Sequence, residues 1–250
     1  MINPDNTIPI ILAAGMGTRL GSSYSNIPKS FINIGEKKII EIQFEILIKA
    51  GFKRIIIVNG FLNELFVKEI GNAYKNLSIE YVTNEKFNST GSAYSLMLTF
   101  EIWTQNKNNV LLLHADLLYD EKVLLDFCKI SNPKKNYILL DSNFSEETND
   151  EQIVIGKDKK VLELIKSMPL NDNQIGESLG INLWTKGFME QYYKFLENYL
   201  ENNPRSNWEQ TIKPFLCLNK NVELLYEDIN NRFWVNINYI EDLDKSKKLY

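Results

Sequence analysis

The chain is poor in several residue patterns that would have pointed elsewhere. Only two cysteines occur in 250 residues, Cys128 and Cys217, both in apolar surroundings, so they are expected as buried reduced thiols rather than a disulfide scaffold. A chain of this length buries roughly 70–75% of its unfolded surface and needs no metal or disulfide to fold. There is no basic excess: 28 Lys and Arg face 32 Asp and Glu, and the net charge is −4. Nor is there a run of five or more basic residues, which disfavours a nucleic-acid surface. No apolar stretch approaches the roughly 18–20 residues that span a bilayer. The opening MINPDNTIP lacks the charged-then-apolar order of a signal peptide, so a cytoplasmic location is expected. Internal repeats are absent, and His114 is the only histidine. What remains, with 44% apolar and 24% charged residues, is the composition of an ordinary globular protein.

The apolar runs of the first half are short, β-branched and closed by glycine or polar residues. Ile8–Ala13, Arg54–Val58, Ile79–Thr83, Val110–His114 and Tyr137–Leu140 read as buried strands. Between them, Ile39–Ala50, Leu62–Tyr74, Ser92–Trp103 and Glu121–Ile130 read as helices. This alternation predicts an α/β fold: a Rossmann-like, mostly parallel mixed sheet flanked by helices. From about residue 141 the rhythm changes. A polar loop, SNFSEETNDEQ, precedes short strands at Gln152–Ile155, Val161–Ile165 and Ser178–Leu183, with a hairpin turn in GKDKK. Helices follow at Gly187–Leu200 and around Trp208–Leu216, where Pro214 should end or kink the second. Strands at Val222–Tyr226 and Phe233–Ile237 and a closing helix at Ile240–Leu249 complete the reading. The expected division is an α/β portion over residues 1–140 and a smaller α+β closing portion over 141–250, sharing one sheet.

The stretch IPIILAAGMGTRLGSSYSNIPKSF, Ile8 to Phe31, holds the first chemical signal. A glycine loop at the carboxyl end of a strand lets backbone N–H groups face phosphate oxygens, and Arg19 and Lys29 are at hand to neutralise charge. A dinucleotide fingerprint would need glycine at position 20, which is Leu20, and the hydrolase P-loop's Gly-Lys-Ser/Thr is missing.

LAAGMGTRL with IPKSF resembles the signature of the nucleoside-triphosphate transferases. That family includes sugar-1-phosphate nucleotidylyltransferases and the cytidylyltransferases acting on phosphocholine or phosphonates. The resemblance runs down most of the chain through EIQFEILIKAGFKRIIIVNGF, NEKFNSTGSAYSLML, GESLGINLW and FWVNINYIEDL, and the second of these matches best the cytidylyltransferases with small acceptors. It implies transfer of a nucleoside monophosphate with release of pyrophosphate. Gly15, Gly17 and Thr18 would hold the β and γ phosphates, Arg19 would neutralise the pyrophosphate, and Lys29 would sit between the α-phosphate and the acceptor. The base would lie over Leu12, Ala13 and Ala14 and against Asn84, Thr90, Gly91 and Ser92; Ser92 would read the base, cap the next helix, or do both.

Asp116, closing LLLHAD, matches the family's principal Mg²⁺ ligand. The second ligand is usually the aspartate of W-x-x-I-D, but here Trp234-Val235-Asn236-Ile237-Asn238 puts an amide there. An amide oxygen coordinates Mg²⁺ without charge, so either the triphosphate or a nearby carboxylate (Glu209, Glu241, Asp242) makes up the difference, or activity is reduced.

Acceptor-binding candidates are Tyr94, Lys166 (with Ser167 following), Glu177, Trp208 and Glu209, with Trp184, Arg205 and Arg232 as further options. Aromatics with carboxylates would suit a quaternary ammonium, and the arginines would suit an acceptor with a carboxylate. The resulting expectation is a Mg²⁺-dependent cytidylyltransferase using CTP and a small phosphorylated acceptor: phosphocholine-like, aminoethylphosphonate-like or phosphoglutamine-like. A role in cell-surface polysaccharide synthesis is part of that expectation. The alternatives are a sugar-1-phosphate nucleotidylyltransferase, a glycosyltransferase (which would want Asp-x-Asp where His114-Ala115-Asp116 stands) and a degenerate nucleotide-binding regulatory protein. A homodimer is left open.

Overall fold

In the computed structural model, which describes residues 1–21, 24–143, 151–166 and 174–246, the apolar runs lie side by side in one sheet. Strand β1 (Thr7–Ala13) leads through the glycine loop to a small hairpin, β2 (Asn33–Ile34) and β3 (Lys37–Lys38), and then to helix α1 (Ile39–Lys49). Next come β4 (Arg54–Asn59), α2 (Asn63–Glu69), β5 (Ala73–Tyr74) and β6 (Leu77–Thr83). Helices α3 (Ser92–Met97) and α4 (Phe100–Asn106) lead to β7 (Asn109–His114), β8 (Leu117–Tyr119), α5 (Glu121–Ile130) and β9 (Asn136–Asp141). The later elements are β10 (Gln152–Lys157), β11 (Lys160–Lys166), β12 (Gln174–Trp184), α6 (Lys186–Asn202), α7 (Trp208–Leu218), β13 (Leu224–Asp228), β14 (Trp234–Asn236) and α8 (Ile240–Ser246).

Ten strands form the main sheet in the order β10-β11-β13-β9-β12-β7-β1-β4-β6-β5. Pairing is parallel across β7-β1-β4-β6 and between β9 and β13, and antiparallel elsewhere. The sheet is therefore mixed, with its parallel block at the glycine loop. Alternation along each strand separates two cores. Ile11, Ile57, Leu111 and Leu113 pack with α1 and α5 on one face, while Ile10, Ile56 and Leu112 pack with α3, α6 and α7 on the other. Both faces are covered, so the inner strands are apolar throughout rather than alternating.

Several sequence expectations need correction. The helix expected over Leu62–Tyr74 stops at Glu69; Gly71 turns the chain at φ 74°, and Ala73–Tyr74 becomes an edge strand. The helix expected over Ser92–Trp103 is two helices, broken at the fully buried Thr99, whose hydroxyl bonds the Leu96 carbonyl and the Tyr193 hydroxyl. Pro214 does not end α7, which runs on to Leu218. Cys217 is exposed, whereas Cys128 is buried and its thiol is pushed up to about 12 by burial. The hairpin of β10 and β11 turns at Asp158 and Lys159, both at positive φ. Ser167, the middle of the polar loop and the last residues of the closing helix lie outside the described residues.

Candidate active site

Strands β1, β4 and β7 end together, and their carboxyl ends open into a cavity of about 740 Å³. The loop leaving β1 turns at Gly17 in the left-handed region (φ 62°), a conformation that favours glycine. Leu20, one turn later, is buried and anchors the loop in the core. The next anchored segment, Pro28–Phe31, buries Phe31 and holds the Lys29 side chain against Gly17.

Lys29 is the centre of the site. Its Nζ lies 2.6 Å from Asp116 Oδ2 and 2.8 Å from Asn238 Oδ1. Arg19 also donates to Asn238 Oδ1 (2.8 Å), and its guanidinium lies over the Tyr239 ring. Burial pushes the Asp116 carboxyl up, but the charge and hydrogen bond of Lys29, together with smaller contributions from His114 and the backbone, hold it below the usual carboxylate range. Two elements deliver these oxygens. Asp116 follows β7, and the buried Gln43 amide on α1 fixes that strand end by donating to the carbonyls of His114 and Leu117. Asn238 follows β14, which pairs with β8 as a separate two-stranded ribbon; the Ile237 N–H donates to the Asp116 carbonyl (2.9 Å). Asp242 accepts from the backbone N–H groups of Asn238 and Tyr239 and so fixes their turn.

The base-side wall is formed by Leu12, Ala14, Gly15, Asn84, Thr90, Gly91, Ser92 and Ser95. Asn84 is buried and donates to Thr90 Oγ1 and Ser95 Oγ, which stiffens that loop. Gly91 lies so close to the chain before α7 that an added Cβ would meet the Ser206 carbonyl oxygen at 2.2 Å. Ser92 is the first residue of α3, not its cap; its Oγ accepts from the Trp208 N–H (3.0 Å), and its own N–H donates to Asn207 Oδ1. Ala13 does not line the cavity. Strand alternation turns it into the core on the opposite face from Leu12 and Ala14.

The far wall carries charge. Asp141, Glu151, Lys166, Glu177, Trp234 and Asn236 line it. Register explains the grouping, since Gln152 pairs with Lys166, Ile153 with Glu177, and Glu177 with Asp141. Trp234 Nε1 donates to Asp141 Oδ2 (2.9 Å). Between the walls sit His114 and Glu209. Trp208 Nε1 donates to His114 Nε2 (2.7 Å), so the neutral imidazole carries its proton on Nδ1. Glu209 Oε1 is 3.4 Å from the same nitrogen, and its Oε2 is buried without a partner; burial pushes its carboxyl up.

Other expected site residues fall away from this space. Gly17 and Thr18 do not line the cavity. Tyr94 packs against the core with the Lys86 ammonium over its ring. Trp208 and Trp184 are fully buried, with ring centroids 5.4 Å apart. Arg232 is paired with Asp126 and the Lys122 carbonyl, outside the cavity lining, and Arg205 does not line it either. Gln43, Asn207, Asp141 and Glu151 were not foreseen. Gln43 stood out only as the polar residue in an otherwise apolar helix face, and no pattern marks the others.

A Mg²⁺ ion is a fair test of this geometry. An aspartate and an amide oxygen already converge on one cationic atom, Lys29 Nζ, and both are hard donors. Mg²⁺ commonly takes one or two carboxylates and fills its shell with phosphate oxygens and water, so the pair fits such a role. Among the described residues there is no cluster of three or more His, Cys, Asp or Glu that would hold a metal unaided. No described helix is long and apolar enough to cross a membrane.

Comparison with known proteins agrees with the geometry. The chain is 26% identical to the choline-phosphate cytidylyltransferase of Streptococcus pneumoniae (strain ATCC BAA-255 / R6), covering 96% of both chains. It is 24% identical to the CTP:phosphoglutamine cytidylyltransferase of Campylobacter jejuni subsp. jejuni serotype O:2 (strain ATCC 700819 / NCTC 11168), covering 94% of this chain and 97% of that one. Its fold superposes on the inositol-1-phosphate CTP transferase from T. maritima with a TM-score of 0.75 at 18% identity, covering 97% and 96% of the two chains. The Nucleotidyl transferase family profile matches residues 8–206, so this enzyme belongs to the nucleotidyl transferase family.

Proposed function

We propose that the enzyme transfers CMP from CTP to the phosphate, phosphonate or phosphoramidate of a small molecule, releasing pyrophosphate. The observation that supports the reading is Lys29 Nζ held between Asp116 and Asn238, two residues that line the cavity. An oxygen of the acceptor phosphate attacks the α-phosphorus as the bond to the β-phosphate oxygen breaks. An acceptor phosphate is already nucleophilic at neutral pH, so the protein's work is alignment and charge neutralisation.

The glycine loop binds the β and γ phosphates through Gly15, which lines the cavity, while Gly17 shapes its turn. Lys29 turns from its two oxygens to the α-phosphate, where negative charge builds. Arg19 neutralises the pyrophosphate as it departs. Leu12, Ala14, Asn84, Gly91 and Ser92 hold the base, and the choice of cytosine is supported by two relatives matched over 96% and 97% of their lengths. Asp116 and the Asn238 oxygen would hold Mg²⁺, which when bound supplies positive charge to the triphosphate. Lys166, Glu177 and Glu209 face the acceptor.

Pyrophosphate release measured with CTP, UTP, TTP and GTP, each against phosphoamines, phosphonates and sugar 1-phosphates, tests the reading. Release with CTP and a phosphoamine or phosphonate is expected. Release only with a sugar 1-phosphate would replace the acceptor class, and nucleotide binding without any release would point to a regulatory protein.

A further inference from the structure

The cavity offers hydrogen-bond acceptors where a quaternary ammonium would need aromatic faces. Two oxygens of lining residues are buried without a partner, Glu209 Oε2 and Asn236 Oδ1. Glu209 is 5% exposed, so the cost of leaving that oxygen unmet falls on a ligand or a trapped water. The amide oxygen of Asn236 accepts, and so does the Glu209 oxygen in the ionised form that a cationic nitrogen would favour, so each calls for an N–H or O–H. Asp141 adds a carboxylate on the far wall, oriented by the Trp234 indole.

The aromatic supply is the reverse. Trp184 and Trp208 are sealed in the core, and Tyr94 packs outside the cavity. Of the rings that line it, Tyr239 has Arg19 over its face and Phe87 packs edge-on with Phe61. Among the described residues Trp234 alone is left to the acceptor side, whereas a trimethylammonium is held by ring faces on several sides.

We propose that the acceptor is a phosphorylated amine whose cationic nitrogen carries N–H bonds, that Glu209 receives one of them, and that the site discriminates against the fully methylated nitrogen. This rests on the nucleotidyl-transfer reading above. A trimethylated nitrogen presents only methyl groups, so Glu209 Oε2 would stay buried and unmet when it binds.

The test is pyrophosphate release by the wild-type enzyme with CTP and phosphoethanolamine bearing zero, one, two or three N-methyl groups. The expected result is a falling kcat/KM along the series, at least tenfold lower for the trimethyl compound. Glu209→Gln should flatten the series and leave KM for CTP within about twofold, since about 1.4 kcal/mol separates each tenfold step. Equal or better use of the trimethyl compound overturns the inference while the transferase reading stands. A steep series in Glu209→Gln with a raised KM for CTP also overturns it, by giving Oε2 to the ribose. Release with sugar 1-phosphates but none of the four amines removes the amine class alone. No release with any nucleotide and acceptor sinks both readings.

Discussion

On the β1 side the cavity wall is backbone and small side chains at the ends of parallel strands; on the β12 side it is long charged side chains from antiparallel strands. The first wall depends on local conformation: a left-handed glycine, an anchored leucine, a close approach at Gly91. The second depends on register, which brings Lys166, Glu177 and Asp141 together from three separate strands. A wall of the first kind suits groups shared by every nucleotide. A wall of the second kind can change its ligand by single substitutions without disturbing the fold.

The largest effect is expected at Lys29, which binds two residues of the cavity lining. Lys29→Ala should lower turnover by more than tenfold, with circular dichroism and thermal melting still showing a folded protein. Near-native turnover in that variant would remove Lys29 from the chemistry. A pair of glycine substitutions then separates fold from function within the first wall. In Gly91→Ala the new Cβ would press on the carbonyl oxygens of Ser206 and Arg205 at 2.2 and 2.5 Å, so a loss of about 1–3 kcal/mol and a lower Tm are expected. In Gly15→Ala nothing lies within 4 Å of the new Cβ, so Tm should hold while KM for the nucleotide rises. Equal melting of the two variants would contradict the close packing at Gly91. The smallest effect is expected from Asn238→Asp. An added carboxylate should lower the Mg²⁺ needed for half-maximal turnover a few-fold and strengthen Mn²⁺ binding measured without nucleotide. Loss of nucleotide binding in that variant would show that Asn238 sits elsewhere than proposed.

The same contrast explains what was legible in the sequence. The strands around the glycine loop were readable because full burial makes them short, continuous apolar runs, and β1, β4 and β7 fall where expected. Leu12, Ala14, Gly15 and Asp116 line the cavity as expected, because a site at the carboxyl ends of parallel strands draws on the residues that close those strands. Ala13 was misplaced because a motif quotes neighbours that a strand sends to opposite faces. Trp208 and Tyr94 were misplaced because an aromatic beside a site residue looks the same in sequence whether it lines a cavity or fills a core; only packing decided for the core. Asp141 and Glu151 could not be found at all, because their neighbours come from pairing across distant strands. The break at Thr99 was hidden for a similar reason, since its partner hydroxyl on Tyr193 belongs to a later helix.

The β8–β14 ribbon has a consequence for how stability and activity are linked. All ten strands of the main sheet lie before residue 229, whereas the Asn238 oxygen arrives with the ribbon that follows. Among the described residues β14 pairs with β8 and with no strand of the main sheet, so fraying of the ribbon would leave the sheet's ladder intact while withdrawing Asn238 from Lys29. On the reading proposed above, local opening of this ribbon would silence the reaction without unfolding the protein.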